Sequence, residues 1–332
     1  ILFLLPDIFS IQTDADFVQA ALQTFGYQYQ HNQVYQRFCT LLGRTPDKVR
    51  RLTDIPFLPI EFFKSEAVYC GNEHPTTVFT SSGTTGSQPS RHYVKDLAVY
   101  QQSFRQGFAD FYGNIEEYTV LALLPSYLER TGSSLITMVA DLIERSGSAD
   151  RGFYLNEYDL LAEKLTVLDR SGRKVLLIGV SFALLDLVET HRFQLKNTIV
   201  METGGMKGRR KELIREELHA ILCEGFGVEY IHSEYGMTEL LSQAYSAGSG
   251  LYESVRWLKV LIRDTNDALS YQRPLKTGGI NLIDLANIHS CSFIATQDLG
   301  RLHPDGRFEV LGRFDNADIR GCNLLIGWFI NS

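Results

Sequence analysis

The sequence has 332 residues, of which 44% are hydrophobic and 21% are charged, and its formal net charge is −7. This ordinary globular composition is long enough for one large domain or two moderate ones. The chain is acidic and no stripe of lysine and arginine stands out in it, so we expect no nucleic-acid partner.

Cysteine usage and the start of the chain bear on its compartment. The five cysteines are widely scattered and form no CxxC pair, which indicates a reducing compartment without structural zinc. The apolar stretch 1–11 is interrupted by Pro6 and Asp7 and is too short to cross a bilayer. We therefore predict a cytoplasmic protein with no membrane span.

The first segment, 1–75, is predicted to be mainly helical and to pack on the core that follows. Asp14 or Asp16 is placed to cap a first helix, and Gly26 is placed to end it. Nothing in the first 70 residues has the pattern of a catalytic motif.

The second segment, 76–250, is predicted to be an α/β core. The apolar run 118–124 has the composition of a strand buried on both faces, further strands are predicted at 175–178, 198–201 and 228–231, and helical patterns separate them. Strands that alternate with helices form mostly parallel sheets flanked by helices, and such sheets bind ligands beyond the carboxyl ends of their strands.

The last segment, 251–332, is predicted to be a β-rich subdomain that ends in a short tail. Strand patterns occur at 255–262, 279–285 and 293–296 with no long helix between them, and 303–306 has the composition of a hairpin turn. We expect the three segments to form one compact unit of the α/β class.

A loop of small residues, called loop 80–86 below, lies between an apolar run that ends at Phe79 and a strand pattern at 91–94. Its members are Thr80, Ser81, Ser82, Gly83, Thr84, Thr85 and Gly86. Glycine brings backbone close to a ligand, and successive amide groups with small hydroxyls form a concavity for phosphate oxygens. No Gly-Lys-Ser/Thr follows, so this is not a Walker A loop. From composition alone, a flexible surface loop is the alternative interpretation.

Three further stretches follow in order after loop 80–86. They are Tyr235-Gly-Met-Thr-Glu239, Asp298-Leu-Gly-Arg301 and Gly312-Arg-Phe-Asp-Asn-Ala-Asp-Ile-Arg-Gly321. Together with loop 80–86 they resemble the adenylate-forming superfamily of acyl-CoA synthetases, peptide-synthetase adenylation domains and firefly luciferase. With Phe79 and loop 80–86, Glu202-Thr-Gly-Gly-Met-Lys-Gly208 and Arg320-Gly-Cys-Asn-Leu-Leu325, the sequence is most similar to the LuxE family of acyl-protein synthetases, over nearly the whole chain.

The resemblance implies a fold and a reaction. The fold is that of the N-terminal domain of adenylate-forming enzymes, with layered, mostly parallel sheets and a β-rich C-terminal subdomain. In the reaction, the carboxylate of a fatty acid attacks the α-phosphate of Mg·ATP, giving an acyl-adenylate and pyrophosphate, and the acyl group then passes to a protein cysteine. The implied cofactors are ATP and Mg²⁺, and a reductase or carrier protein is the candidate acyl acceptor.

The same resemblance assigns residues to the purine and the phosphates of ATP. Loop 80–86 holds the β- and γ-phosphates through backbone amides and hydroxyls. Gly204 and Gly205 let the adenine lie against backbone, with Tyr235 stacked on its face. The other ATP-binding residues that the resemblance implies here are Met206, Gly236 and Met237.

Two catalytic residues and two ribose contacts are implied as well. Thr238 hydrogen-bonds the α-phosphate, and Glu239 holds Mg²⁺, a cation that takes oxygen ligands. Asp298 accepts hydrogen bonds from the ribose hydroxyls, and Arg313 reaches the ribose or a phosphate. Without the resemblance, Asp298 could cap a turn and Glu239 could be a solvated helix start.

The end of the sequence departs from the wider superfamily. Full-length synthetases continue after the hinge, where Asp315 lies, into a mobile lid that supplies a lysine; here only a short stretch follows, and Lys276 is the last lysine. We therefore predict that the usual lid is lacking and that the acyl group goes to a protein thiol, Cys322, rather than to CoA. The alternative is that Cys322 is buried and inert.

Two other functions remain as alternatives. Gly179-Val-Ser-Phe-Ala183 falls between a strand and a helix, as a hydrolase nucleophile elbow does. Ser181, Asp298 and His303 would then form the triad of an esterase or thioesterase, although Ala183 replaces the last elbow glycine. The second alternative is a nucleotide- or acyl-binding protein that has lost its activity.

Overall fold

The computed structural model describes residues 5–81, 88–125, 132–204 and 213–314. The chain divides into two compact units. Among the described residues, unit 1 contains those up to Thr76, the short piece His92–Lys95, and those from Glu253 to Phe314; unit 2 contains the described residues of Thr77–Arg91 and Asp96–Tyr252.

Helices and strands occur in both units. The α-helices of the described segments are α1 (Asp14–His31), α2 (Gln33–Leu41), α3 (Phe62–Ser65), α4 (Leu97–Tyr112), α5 (Ser134–Arg145), α6 (Tyr158–Arg170), α7 (Ser181–Thr190) and α8 (Arg215–Phe226). The strands are β1 (Leu58–Pro59), β2 (Thr77–Thr80), β3 (Arg91–Val94), β4 (Tyr118–Leu123), β5 (Gly152–Tyr154), β6 (Lys174–Val180), β7 (Thr198–Thr203), β8 (His232–Tyr235), β9 (Ala244–Ser246), β10 (Leu251–Ser254), β11 (Leu258–Arg263), β12 (Thr277–Asp284), β13 (Phe293–Leu302) and β14 (Phe308–Arg313). Short 3-10 helices lie at Ile8–Ser10, Leu52–Asp54, Ile115–Glu117 and Leu285–Asn287.

Unit 2 is built on a sheet with the order β9-β8-β7-β6-β4-β5. All neighbours from β8 to β5 are parallel, and only β9 runs antiparallel to its neighbour β8. Every residue of β4 is buried, as is β6 after its first residue. Continuous burial of this kind is typical of strands covered on both faces by helices, which confirms the α/β core predicted from the alternating pattern.

Two contacts in unit 2 join neighbouring elements: one holds the segment that enters β7, and the other lies between α7 and α8. The carboxylate of Asp169, at the end of α6, accepts hydrogen bonds from the backbone nitrogens of Lys196 and Asn197 and from Thr198 Oγ1, at 3.0, 2.7 and 2.9 Å. On the helical layer, α8 approaches α7 at Gly225, where an added Cβ would lie 2.4 Å from Val188 Cβ.

Unit 1 carries the antiparallel sheet β11-β12-β13-β14, to which β1 adds in parallel beside β13. Its core contains an aromatic cluster in which the Phe293 ring contacts the rings of Phe25, Tyr35 and Phe57 at 5.9 to 6.2 Å. The side chain of Gln28 on α1 donates to the backbone carbonyls of Asn287 and Ile288. The predicted β-rich character of this part of the chain, including the turn between β13 and β14, is confirmed.

Two expectations about element bounds are wrong. The strand expected at 228–231 is β8 instead, which begins at His232, because the polar side chains of this strand find buried partners in unit 2. The first helix does not end at Gly26 but continues to His31, since Gly26 is buried inside it. Its N-cap is Thr13, which forms a capping box with Asp16.

Candidate functional site

The carboxyl ends of β7 and β8 bring together two of the stretches singled out in the sequence. The two strands are parallel neighbours, and Thr203 is in register with Glu234. Gly204 therefore leaves β7 beside the point where Tyr235 ends β8. This is the edge at which open parallel sheets bind their ligands.

The backbone after β7 is turned and held in place. Gly204 has a φ of +69°, a left-handed conformation that glycine adopts without a steric penalty. Its carbonyl oxygen lies 2.9 Å from Oγ of Ser181, the first residue of α7. Gly205 and Met206, which were predicted to continue this surface, lie outside the described residues.

The segment after β8 makes a tight turn. A Cβ on Gly236 would lie 2.4 Å from Oε1 of Glu234, so a side chain at this position would displace that carboxyl group. The backbone nitrogen of Leu240 donates to the carbonyl oxygen of Met237 at 3.1 Å, which closes the turn. Thr238 is half-buried within it.

The two ends of this segment are buried. Tyr235 is 9% exposed and its ring meets that of Tyr252 edge-on, with centroids 5.8 Å apart. Glu239 is 6% exposed, and no helix begins at this point of the chain. Glu239 is therefore not the solvated helix start of the alternative interpretation.

The flanks of loop 80–86 are joined to each other. The backbone nitrogen of Ser81 donates to the carbonyl oxygen of Ser90 at 3.1 Å, and the nitrogen of Ser90 donates to Ser81 Oγ at 2.9 Å. The nitrogen of Thr80 donates to the carbonyl oxygen of Gly132, where an added Cβ would lie 3.0 Å from Val78 O. Ser82, Gly83, Thr84, Thr85 and Gly86 themselves lie outside the described residues.

Sequence reasoning missed two buried carboxyl groups behind this edge, one on each side of the sheet. The carboxylate of Glu202 accepts hydrogen bonds from Arg215 Nη1 at 3.1 Å and from Ser181 Oγ at 3.0 Å. The carboxyl group of Glu234 accepts one from the Thr203 hydroxyl at 2.5 Å. The available signal was a carboxylate shortly after each strand pattern, Glu202 after 198–201 and Glu234 after 228–231, because a carboxyl group that the sheet buries needs a partner.

The two carboxyl groups differ in acidity. Burial alone would raise the pKa of Glu202, but the hydrogen bond from His219 and the charge of Arg215 bring that pKa below its usual value. Burial raises the pKa of Glu234 to about 7, with the charge of Glu202 adding to the shift and the Thr203 hydrogen bond opposing it. At neutral pH the first group is ionised and the second is close to its midpoint.

Asp298 and Arg313 lie in unit 1. Asp298 is not in a loop but inside β13, in register with Arg313 on β14. Arg313 Nε lies 3.8 Å from Asp298 Oδ1, and its Nη2 donates to Gln297 Oε1 at 2.8 Å. The Arg313 side chain is 71% exposed, so this ion pair is at the surface.

The side chains required for the hydrolase alternative have other partners. Ser181 is 2% exposed, and its hydroxyl points to Glu202 and to the Gly204 carbonyl. His303 Nε2 lies 2.8 Å from Glu309 Oε1. These contacts give no support to a Ser181–His303 pair.

Cys322, the predicted acyl acceptor, lies outside the described residues. Of the other cysteines, Cys39, Cys70 and Cys291 are buried and Cys223 is intermediate. Burial raises the pKa of Cys291 to about 12 and also raises that of Cys223. Neither thiol has the low pKa of a reactive cysteine.

The described segments hold no group of three or more His, Cys, Asp or Glu side chains that could bind a metal ion. None of their helices combines the length and the apolar character needed to cross a bilayer.

Comparisons with known proteins give a likeness of fold. No protein-family model matches the sequence, and no curated protein matches it. The open conformation of 2-hydroxyisobutyryl-CoA ligase, in complex with 2-HIB-AMP and CoA, is 13% identical with a TM-score of 0.65, covering 92% of this chain and 76% of that chain.

Two ATP-bound structures are similar over a smaller part. MatB from Rhodopseudomonas palustris is 16% identical with a TM-score of 0.53, and an RpMatB–BxBclM chimera is 16% identical with a TM-score of 0.54. Each match covers 73% of this chain and 49% of the other, so the chain spans about half the length of these structures. The predicted fold class, that of adenylate-forming enzymes, is thereby confirmed.

Proposed function

We propose that the protein uses ATP to activate a carboxylic acid, in particular a fatty acid, as an acyl-adenylate. The observation that carries this proposal is the meeting of Gly204 and Tyr235 at the ends of two adjacent parallel strands. The sequence resemblance assigns both residues to the adenine, and this edge of the sheet is where such folds bind ligands. A protein of the same fold, 2-hydroxyisobutyryl-CoA ligase, was solved with an acyl-adenylate, 2-HIB-AMP.

In the proposed site, the adenine lies against the backbone at Gly204 with the Tyr235 ring on its face. The Thr238 hydroxyl donates to the α-phosphate, which the carboxylate of the acid attacks. Loop 80–86 holds the β- and γ-phosphates, and the Ser81–Ser90 hydrogen bonds fix the separation of its ends. Asp298 and Arg313 are retained as ribose contacts on the resemblance alone.

The donor set fits Mg²⁺ delivered with the nucleotide. Glu239 offers a buried carboxylate, and Mg²⁺ is usually bound by one or two carboxylates together with substrate phosphates rather than by a full protein cage. Bound there, the ion would neutralise charge on the phosphates.

We further propose that the acyl group passes to Cys322 and from there to a reductase or carrier protein. The thiolate attacks the acyl carbonyl carbon of the adenylate, a carbon–sulfur bond forms, the carbon–oxygen bond to the phosphate breaks, and AMP leaves. Burial or a raised pKa at Cys291 and Cys223 supports an acceptor elsewhere in the chain.

ATP–pyrophosphate exchange with a panel of carboxylic acids of increasing chain length tests the proposal. We expect exchange to require a fatty acid, and Glu239→Gln to lower it by about 100-fold or more because a metal ligand is lost. Glu224→Gln, which removes an exposed carboxylate on α8, is the matched control and should leave exchange unchanged. ATP binding without exchange for any acid would favour the inactive binding protein.

The same preparation tests the acceptor. Cys322→Ser should keep full exchange but lose the hydroxylamine-labile acyl group that forms on the wild-type chain, whereas Cys223→Ser should keep both. A Cys322→Ser chain that still becomes acylated would place the acceptor elsewhere.

A further inference from the structure

A buried polar cluster, called the Glu202 cluster below, lies directly behind the proposed adenine surface. Its members are Ser181, Glu202, Arg215, His219, Ser233 and Tyr252. They come from α7, β7, α8, β8 and the start of β10, all within unit 2. The sequence analysis gave none of them a role in the proposed reaction.

One arm of the cluster reaches the backbone at Gly204. The Ser181 hydroxyl lies 3.0 Å from Glu202 Oε2 and 2.9 Å from the Gly204 carbonyl oxygen, within hydrogen-bond distance of both acceptors. Since Gly204 has a left-handed conformation with few steric restraints, this contact limits the orientation of the peptide on which the adenine would lie.

The other arm reaches the ring of Tyr235. The Arg215 guanidinium carbon lies 5.1 Å from the centroid of the Tyr252 ring, and Nη1 also donates to the Tyr252 hydroxyl. The Tyr252 ring in turn meets the Tyr235 ring at 5.8 Å with an interplanar angle of 61°. This edge-on geometry is favourable for aromatic pairs, and it restricts rotation of the Tyr235 ring.

Both arms depend on the pair between Glu202 and Arg215. Nη1 of Arg215 lies 3.1 Å from Glu202 Oε1 and 3.4 Å from Ser233 Oγ, and Glu202 is 5% exposed. A guanidinium has several donors in a rigid planar fork and can also lie on an aromatic face, which an ammonium cannot reproduce. Arg215 is therefore the residue that links the carboxylate of β7 to the ring of Tyr252.

We propose that Arg215 and Tyr252 are positioning residues for adenine binding, which hold the Tyr235 ring and, through Glu202 and Ser181, the Gly204 backbone in their bound arrangement. This inference rests on the proposed function, because it takes the adenine to lie between Gly204 and Tyr235. Neither Arg215 nor Tyr252 needs to touch the nucleotide.

Equilibrium titration of the full-length chain with ATP tests the inference. Tyr252→Leu removes the ring that supports Tyr235, and we expect it to raise the Kd for ATP about three- to tenfold, the range that one aromatic contact supports. Tyr252→Phe keeps the ring and should remain within about twofold of wild type. Tyr118→Leu is the control, because it removes a tyrosine that is also buried, at 7% exposure, but lies at the start of β4, away from the carboxyl ends of the strands. It should leave the Kd for ATP unchanged.

Exchange kinetics separate positioning from a general loss of structure. In Tyr252→Leu, the KM for ATP should rise while kcat and the KM for the acid stay at their wild-type values. Arg215→Lys, which keeps a cation near Glu202 but loses the planar fork, should raise the KM for ATP in the same way. If Tyr252→Leu fails to fold, the KM for ATP of Arg215→Lys tests the positioning role by itself.

The outcomes are distinct. A wild-type chain that binds no ATP overturns the proposed function and this inference with it. A wild-type chain that binds ATP, with Tyr252→Leu or Arg215→Lys indistinguishable from it, overturns the positioning role alone. The positioning role is also overturned if Tyr252→Leu loses kcat and acid binding together with ATP binding, or if Tyr252→Phe binds ATP as weakly as Tyr252→Leu.

Discussion

Gly225 shows how a single missing side chain sets the spacing of two helices. An added Cβ would lie 2.4 Å from Val188 Cβ and 2.7 Å from Val188 Cγ1. Alanine is favoured over glycine in a helix interior by about 1 kcal/mol, but forcing an extra methyl group into a packed contact costs about 1–3 kcal/mol. Because the closest atom is a Cβ fixed to its backbone, we expect the steric term to dominate.

Gly225→Ala should therefore lower the free energy of unfolding by about 1–2 kcal/mol in urea denaturation. Val188→Ala in the same chain should recover part of the loss, since it removes the two Cγ atoms that the new methyl group would meet. Gly152→Ala is the control, because its Cβ would enter open space. A Gly225→Ala chain more stable than wild type would show that α7 and α8 separate easily.

Residue chemistry also explains what the sequence failed to reveal about the site. The motifs indicated two loops as parts of a ligand site, and the structure places Gly204 and Tyr235 at the ends of neighbouring parallel strands. The partners of Glu202 and Glu234 come from α7, α8 and the neighbouring strand. A pattern of local periodicity does not contain such contacts, so neither carboxyl group could be assigned a role from the sequence.

At the scale of elements, one carboxylate, that of Asp169, is the hydrogen-bond acceptor for the backbone nitrogens just before β7. Asp169 is 4% exposed and accepts from the backbone nitrogens of Lys196 and Asn197. Removing it leaves two backbone donors of a partly buried hydrogen-bond group without their acceptor; a fully buried donor would cost about 1–3 kcal/mol, and donors that water can reach cost less.

We expect Asp169→Ala to destabilise unit 2 by about 1–2 kcal/mol, with faster amide hydrogen exchange at Lys196 and Asn197 than in wild type. Asp159→Ala removes a carboxylate that is 99% exposed and pairs with His191 at 3.0 Å, and it should cost less than about 1 kcal/mol. Unchanged exchange at Lys196 and Asn197 would show that β7 needs no such cap.

Element type was easier to predict than element bounds, and β8 shows why. The stretch 228–231, with Val228, Tyr230 and Ile231, is predicted to be the strand, yet the strand is the more polar stretch His232–Tyr235 that follows it. Its side chains are stabilised by tertiary partners, for instance Tyr112 at 3.2 Å from His232 Nδ1. Hydrophobic patterning detects burial against apolar neighbours, and it misses a strand that is buried by polar pairing.

At the scale of the whole molecule, the α/β class could be predicted from the alternation of strands and helices, and the order of the motifs led from this class to one particular fold. The division of the chain into two units could not be predicted from either signal. The N-terminal helices α1 and α2 belong to the same unit as β11 to β14, more than 200 residues away in the chain. Contacts such as Gln28 with Asn287 join segments whose local sequences give no sign of each other.

The pH dependence of unfolding is the prediction that tests the electrostatics of the fold as a whole. Glu234 has its pKa raised from 4.5 to about 7, chiefly by burial, so between these values the folded chain binds a proton that the unfolded chain releases. The stability that this group contributes is therefore complete below pH 4.5 and is lost as pH rises through about 7. Each pKa unit corresponds to about 1.4 kcal/mol, so the total change is about 3 kcal/mol.

Glu234→Gln keeps an acceptor for the Thr203 hydroxyl but has no proton to lose. We expect its free energy of unfolding, measured in urea from pH 5 to pH 8, to gain on wild type steadily across this range, by about 3 kcal/mol at most. Glu224→Gln makes the same change of charge on the surface of α8 and should stay parallel to wild type. If the Glu234→Gln curve also stays parallel, then Glu234 is ionised throughout the range, and its buried carboxylate is stabilised by more than the hydrogen bond from Thr203.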